Sequence, residues 1–172
     1  MVLATGIATE EDIQLAVEAC RRMGNNDITV LKCTSSYPAP VEEANLCMIR
    51  DLAERFQVKS GLSDHTLGSV SPIVAVTQGA SMIEKHFILN RSIGGPDCSF
   101  SMEEKDFAQM VKDVRMAELS LGKTTYELTE KMRGSRSASR SLYVAEDMKA
   151  GEVITERNVR SVRPASACTP NI

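Results

Sequence analysis

The sequence lacks paired cysteines: Cys20, Cys33, Cys47, Cys98 and Cys168 include no CxxC spacing, and their number is odd. That pattern argues against a zinc ribbon and a disulfide framework, so reduced structural thiols are expected. An excess of positive charge is also missing. Lys and Arg number 20 against 23 Asp and Glu, the formal net charge is −3, and the two signs are interspersed. With no basic stripe, DNA and RNA are poor candidates as partners. Long hydrophobic runs are missing too. No stretch approaches the roughly 20 apolar residues of a membrane span, and no basic segment followed by an apolar one opens the chain. A cytoplasmic protein with no membrane partner is the expectation. What is present is 42% hydrophobic content over 172 residues, enough to build a sizeable core.

The apolar residues alternate between strand and helix periods. Residues 1–8 form a short apolar run containing Gly6, and Thr9 stands three residues before Asp12, the spacing of a helix cap. Ile13, Val17 and Cys20 recur at helical spacing, Gly24 and two asparagines end that helix, and 28–33 is a compact apolar strand. Leu46, Ile49, Ala53 and Phe56 then mark a helical face, 58–62 reads as a strand, 72–79 as a small-residue helix and 82–89 as another strand. Ser101 and Glu104 have the spacing of a capping box ahead of Phe107, Met110, Val114, Ala117 and Leu121, and Gly122 closes this long amphipathic helix.

Strands alternating with helices imply a parallel sheet with right-handed crossovers and chemistry at the carboxyl ends of the strands. A complete eightfold barrel takes about 250 residues. The four strand–helix pairs of residues 1–122 therefore predict an α/β fold that is the carboxyl-terminal half of a TIM (β/α)8 barrel. Residue 1 opens directly on a strand, so a fragment of a longer polypeptide is expected, the alternative being a half-barrel that dimerises. Residues 123–140 turn polar and read as a linker. Short β-prone runs at 141–144, 153–154 and 159–162, with a turn-like stretch at 149–152, predict a partial β-rich module over 141–172.

Three polar clusters each follow an apolar run: 32–38 (KCTSSYP), 61–66 (GLSDHT) and 83–87 (IEKHF). His65 and His86, the only histidines, then project from neighbouring strands toward one mouth, where two imidazoles could hold a divalent metal with positions open for substrate. The plainer reading of each is a hydrogen-bonded histidine at a strand end. Asp64 and Glu84 could orient the imidazoles or be solvated acids. Thr34, Ser35, Ser36 and Ser63 with Lys32 and Lys85 could hold a phosphate. Alternation along a strand puts Glu84 and His86 on one face and turns Lys85 toward the helices or the rim, and Lys32 has the same ambiguity. The loop 91–100, with GGPD at 94–97, reads first as a turn and second as a lid touching substrate.

Taken together, CTSSYPAP at 33–40, GLSDHTLG at 61–68, GASMIEKHFIL at 79–89 and GGPD at 94–97 resemble the sialic acid synthase family in order and spacing. The tail SLYVAEDMKAGEVITERNVRSVRP resembles the start of that family's antifreeze-like (SAF) domain. Residues 91–111 are more similar to the family's pseudaminic acid synthases than to its N-acetylneuraminate synthases. The resemblance implies condensation of phosphoenolpyruvate with an N-acetylated amino-sugar aldehyde to a nine-carbon 2-keto sugar acid and phosphate. It implies a divalent metal, most often Mn²⁺, on His65 and His86. It implies phosphoenolpyruvate contacts from Ser35, Ser63 and Tyr37, sugar contacts from Glu84, Asp97 and Arg163, and catalytic roles for Glu84 and Tyr37. A domain-swapped homodimer is implied, in which Arg163 reaches the partner's sugar site.

Departures from the family pattern carry expectations of their own. Ala4-Thr5-Gly6 stands where the family reads Ser-Thr-Gly, removing one hydroxyl near the phosphate, and Ala165 to Ile172 leaves the family pattern. The family's phosphate-binding lysines and a catalytic glutamate fall in strands outside these residues. Two other readings compete: a class I aldolase with Lys32 or Lys85 as Schiff base, and a noncatalytic remnant or dimerisation module.

Overall fold

Thr29–Cys33 is a run of β-branched and apolar residues interrupted by one lysine, and all five are buried. In a computed structural model, which describes residues 1–163, this run is strand β2, with β1 (Val2–Ala4), β3 (Lys59–Asp64) and β4 (Ile83–Lys85). The four lie in the order β1-β2-β3-β4, every pair parallel. Strands paired on both edges and buried on both faces become nearly continuously apolar, which is why β2 reads TVLKC without alternation.

Parallel neighbours need long crossovers, and each strand is followed by a helix: α1 (Glu10–Arg22), α2 (Met48–Phe56), α3 (Val70–Thr77) and α4 (Glu104–Leu121). The register puts Leu3 beside Val30 and Leu62 beside Ile83, and Val30 shares its face with Lys32, the partner of Leu62. That face meets the helices. Val30 packs with Ile13, Val17, Leu52 and Phe56. Leu62 packs with Ile49 and Ala75, and Ile83 lies against Val76, Met110 and Val114. Burial of these side chains stabilises by roughly 1.5–3 kcal/mol each. The opposite, inner face carries Leu31, Cys33, Gly61, Ser63 and Glu84.

The expected cap of α1 is present in full: Asp12 N–H donates to Thr9 Oγ1 at 3.3 Å and Thr9 N–H donates to Asp12 Oδ2 at 2.9 Å. The Thr9 hydroxyl, donating to Asp12 Oδ2 at 2.7 Å, and then the Thr9 N–H hold the Asp12 carboxyl below the usual carboxylate range. The cap expected at Ser101 is not. Helix α4 starts after Glu103, and the Ser101 hydroxyl donates to the Asp97 carbonyl at 2.7 Å, because the preceding turn supplies a nearer acceptor. The strand expected over 82–89 ends at Lys85. Beyond it only a bridge between Phe87 and Met102 continues, since Met102 N–H takes the His86 carbonyl.

The chain divides into two compact units, Met1–Gly122 and Lys123–Ile172. In the second, the stretch read as a linker contains helix α5 (Glu130–Ser137), begun by the Thr129 hydroxyl accepting from Met132 N–H. Composition hid it because it has no apolar stripe. Strands β5 (Ser141–Val144) and β6 (Val159–Val162) pair antiparallel. The strand expected at 153–154 is instead a loop: buried Asn158 donates from Nδ2 to the Val153 carbonyl at 2.9 Å and accepts from Thr155 N–H at 2.7 Å. Cys168 and the remainder of the expected β-rich module after Arg163 lie outside the described residues.

Candidate functional site

Strand β2 ends where Cys33 N–H donates to Thr5 Oγ1 at 3.0 Å, which ties it to the exit of β1. The chain then loops through Thr34 to Pro38 and returns to β3, where Ala39 N–H donates to the His65 carbonyl at 2.9 Å. This loop orients His65. Its Nδ1 lies 2.8 Å from the Thr34 carbonyl, and because a carbonyl only accepts, the proton sits on Nδ1. In the neutral ring Nε2 then carries the lone pair. The residue is 7% exposed.

His86, one residue past the end of β4, brings its ring to 5.1 Å from that of His65, centroid to centroid, at 70°. Its Nδ1 is 3.7 Å from Asp97 Oδ2. Tyr37 lies over His65 at 4.3 Å, and buried Phe100 closes on His86 at 5.0 Å. The result is two imidazoles walled by two aromatic rings. On the last paired rung of the same inner face, the Ser63 hydroxyl donates to Glu84 Oε1 at 2.7 Å. An open cleft of about 260 Å³ beside His86 is lined by Gly94, Gly95, Pro96, Asp97 and Ser101.

The residues expected from sequence therefore fall into separate groups. Tyr37, His65, His86 and Asp97 form one cluster, and Ser63 with Glu84 lies on the same face. Ser35 is elsewhere in the loop, its hydroxyl 3.1 Å from where a side chain on Gly6 would begin, and Gly6 holds φ +47°. Arg163 belongs to the second unit, where its Nε donates to the Ala138 carbonyl at 2.9 Å.

Asp64 makes no hydrogen bond to an imidazole: its side chain is on the helix side, paired at 2.6 Å with Lys85. Neither lysine offers its amine to the inner face. Lys85 is consumed by that pair, and buried Lys32 donates to the Cys33 carbonyl at 2.8 Å and to Thr34 Oγ1 at 3.1 Å. Desolvation pushes the Lys32 ammonium below the usual lysine range. Phe100 was not singled out from sequence; the signal was an aromatic residue where the glycine-rich loop enters α4.

As a metal site the donors fit in one form only. Among the described residues no three His, Cys, Asp or Glu side chains are grouped to bind an ion. Two imidazoles at this separation can share one ion at nitrogen distances of about 2.0–2.1 Å, and every other coordination position would be filled by oxygen from outside the cluster.

A parallel strand–helix array with facing imidazoles and a serine–carboxylate pair at its strand ends defines an α/β protein whose polar groups gather where the strands end. The chain belongs to the NeuB family, whose sequence pattern matches residues 1–126. It is 48% identical to the pseudaminic acid synthase of Helicobacter pylori over 95% of this chain and 48% of that one. To the pseudaminic acid synthase of Campylobacter jejuni (serotype O:2) it is 45% identical, over 98% and 49%. In three dimensions it resembles the N-acetylneuraminic acid (sialic acid) synthetase of Leptospira borgpetersenii, with TM-score 0.70 and 31% identity over 79% of this chain and 47% of that chain. The chain spans about half the length of the relatives it matches.

Proposed function

We propose that this chain carries the metal-binding half of a synthase that joins phosphoenolpyruvate to an N-acetylated amino-sugar aldehyde, forming a nine-carbon 2-keto sugar acid of the pseudaminic type and phosphate. The observation that carries the proposal is the facing pair His65 and His86, with Nε2 of His65 freed by the hydrogen bond from Nδ1 to Thr34. The two imidazoles would hold a divalent cation, Mn²⁺ in this reading, which when bound supplies Lewis-acid polarisation of the aldehyde oxygen.

The remaining steps belong to side chains. Tyr37, Ser35 and Ser63 bind phosphoenolpyruvate through their hydroxyls, with Tyr37 also shielding the His65 ring from water. The enol carbon of phosphoenolpyruvate forms the new bond to the aldehyde carbon, water adds to the carbon left electron-poor, and phosphate departs with the oxygen that joined it. Glu84, oriented by Ser63, is the inner-face carboxylate able to hold the proton lost by that water, and it contacts the sugar together with Asp97. Arg163 enters as a cation offered by a second copy of the chain in a homodimer, through an antifreeze-like second unit. A cytoplasmic site follows from the choice of phosphoenolpyruvate as substrate. The Schiff-base alternative loses its nucleophiles, since Lys85 is locked by Asp64 and Lys32 lies on the helix side.

The test is phosphate release from phosphoenolpyruvate and the aldehyde by the polypeptide at its native length. Chelation is expected to abolish release and Mn²⁺ to restore it, with His86→Ala inactive in both states. Turnover that resists chelation overturns the metal reading, and a folded protein that binds neither Mn²⁺ nor phosphoenolpyruvate is a noncatalytic module.

A further inference from the structure

Asp64 immediately precedes His65, and Lys85 immediately precedes His86. The two side chains meet on the helix side of the sheet, each 1% exposed, with Lys85 Nζ donating to Asp64 Oδ2 at 2.6 Å. The same ammonium donates to the carbonyl of Thr66. Thr66 N–H in turn donates to Asp64 Oδ1 at 2.9 Å, and Thr66 Oγ1 donates to Ser71 Oγ in α3 at 3.0 Å. A single cation on β4 therefore grips the residues on both sides of His65.

Side chains alternate along a strand, so holding residues 64 and 66 from the helix side fixes the direction in which residue 65 leaves the inner face. Asp64 and Lys85 are the last paired rung of the β3–β4 ladder. His65 and His86 thus lie one residue beyond regular pairing of β3 with β4, and their carbonyls are taken by Ala39 and Met102 rather than by each other's strand. Both carboxylate oxygens of Asp64 are occupied, which is the condition for a buried pair to hold one geometry.

We infer that Asp64 and Lys85 are a positioning pair, setting the separation and direction of the two imidazoles and through them the affinity for a divalent cation. The inference rests on the metal reading above, and it predicts an effect at a distance: neither side chain touches the inner face. Partners that orient metal-binding histidines commonly change metal affinity by about 10–100-fold when removed.

The test uses two variants of the polypeptide at native length. Lys85→Met alone strands the Asp64 carboxylate in the interior and is expected to be strongly destabilised, which would confound a binding measurement. The double variant Asp64→Asn, Lys85→Met keeps the net charge, leaves an oxygen for Thr66 N–H, and removes both charges of the pair together with the ammonium's grip, so no unpaired charge is left in the interior. Mn²⁺ affinity is measured by titration at a temperature where circular dichroism shows both the double variant and the unsubstituted protein fully folded. Imidazole ¹H–¹⁵N spectra of the metal-free proteins are recorded alongside.

A roughly tenfold or greater loss of Mn²⁺ affinity, with shifted His65 and His86 resonances, supports the inference. Affinity within about twofold and unmoved resonances overturn it. If the unsubstituted protein binds no Mn²⁺, the metal reading fails. The positioning is then judged by the imidazole resonances alone, which move if the pair holds the rings and stay if it does not. Should the double variant unfold, Ser71→Ala, which cuts the far end of the same network, replaces it with the same readouts.

Discussion

On the helix side of the sheet, Lys32, Asp64 and Lys85 are buried, and their polar groups are occupied by the Cys33 and Thr66 carbonyls, the Thr34 hydroxyl and each other. On the inner face, a few ångströms of backbone away, Ser63, His65, Glu84 and His86 keep capacity in reserve. His65 has a free Nε2, Glu84 one oxygen beyond the Ser63 bond, and His86 only a 3.7 Å approach from Asp97. Both sides carry ionisable residues, two lysines and an aspartate on one and two histidines and a glutamate on the other. Saturated polar groups fasten the strands; groups with unused lone pairs are the ones able to take a ligand. Charge in the sequence therefore does not identify a site until the face is known.

The comparison breaks if the two faces respond alike to neutralising substitutions. The largest expected effect is on the helix side: Lys85→Met leaves Asp64 as an unpaired buried carboxylate and is expected to cost about 3–5 kcal/mol of folding stability. Glu84→Gln on the inner face keeps an oxygen for Ser63 and is expected to change stability by less than about 0.5 kcal/mol. Urea unfolding of both variants reads the difference, and equal losses would erase the distinction between the faces.

A second substitution sharpens where the open part of the inner face begins. A Cβ on Gly61 would lie 2.3 Å from the Met82 carbonyl oxygen and 2.7 Å from Leu31 Cδ2. Gly61→Ala is therefore expected to destabilise by about 1–3 kcal/mol through overpacking. A neutral result in thermal unfolding would show that the inner face is open well below the Ser63–Glu84 rung.

The smallest effect is in pH dependence. Burial lowers the Lys32 pKa from its ordinary value of 10.5. Between the folded and unfolded values the unfolded chain binds the extra proton, so stability rises as pH increases through that window. Lys32→Met is expected to flatten this rise in urea titrations approaching pH 10.5 from below. An unchanged slope would mean that the ammonium is not desolvated on the helix side.

Much of the fold was legible because its signals are local. The cap Thr9–Asp12, the helical recurrence of Ile13 and Val17, and the continuous apolar run of β2 each follow from spacing within a few residues. The gathering of polar residues at strand ends was legible, since the clusters at 32–38, 61–66 and 83–87 each trail an apolar strand. Less legible were features set by competition for hydrogen bonds. Ser101 found the Asp97 carbonyl instead of a helix cap, and Asn158 took the Val153 carbonyl that a strand would have used. Helix α5 had no apolar stripe to announce it.

By itself the sequence determined the alternation of strands and helices, the parallel sheet and the placing of both histidines past strand ends, because hydrophobic period and chain connectivity are written residue by residue. Tertiary structure decided which charges are free. That Asp64 pairs with Lys85, that Ser63 holds Glu84, and that Tyr37 and Phe100 wall the imidazoles depend on the register of β3 against β4 and on a returning loop. These are contacts between residues fourteen or more positions apart, and only the packed chain brings such residues within reach of a ring contact or of a hydrogen bond about 3 Å long.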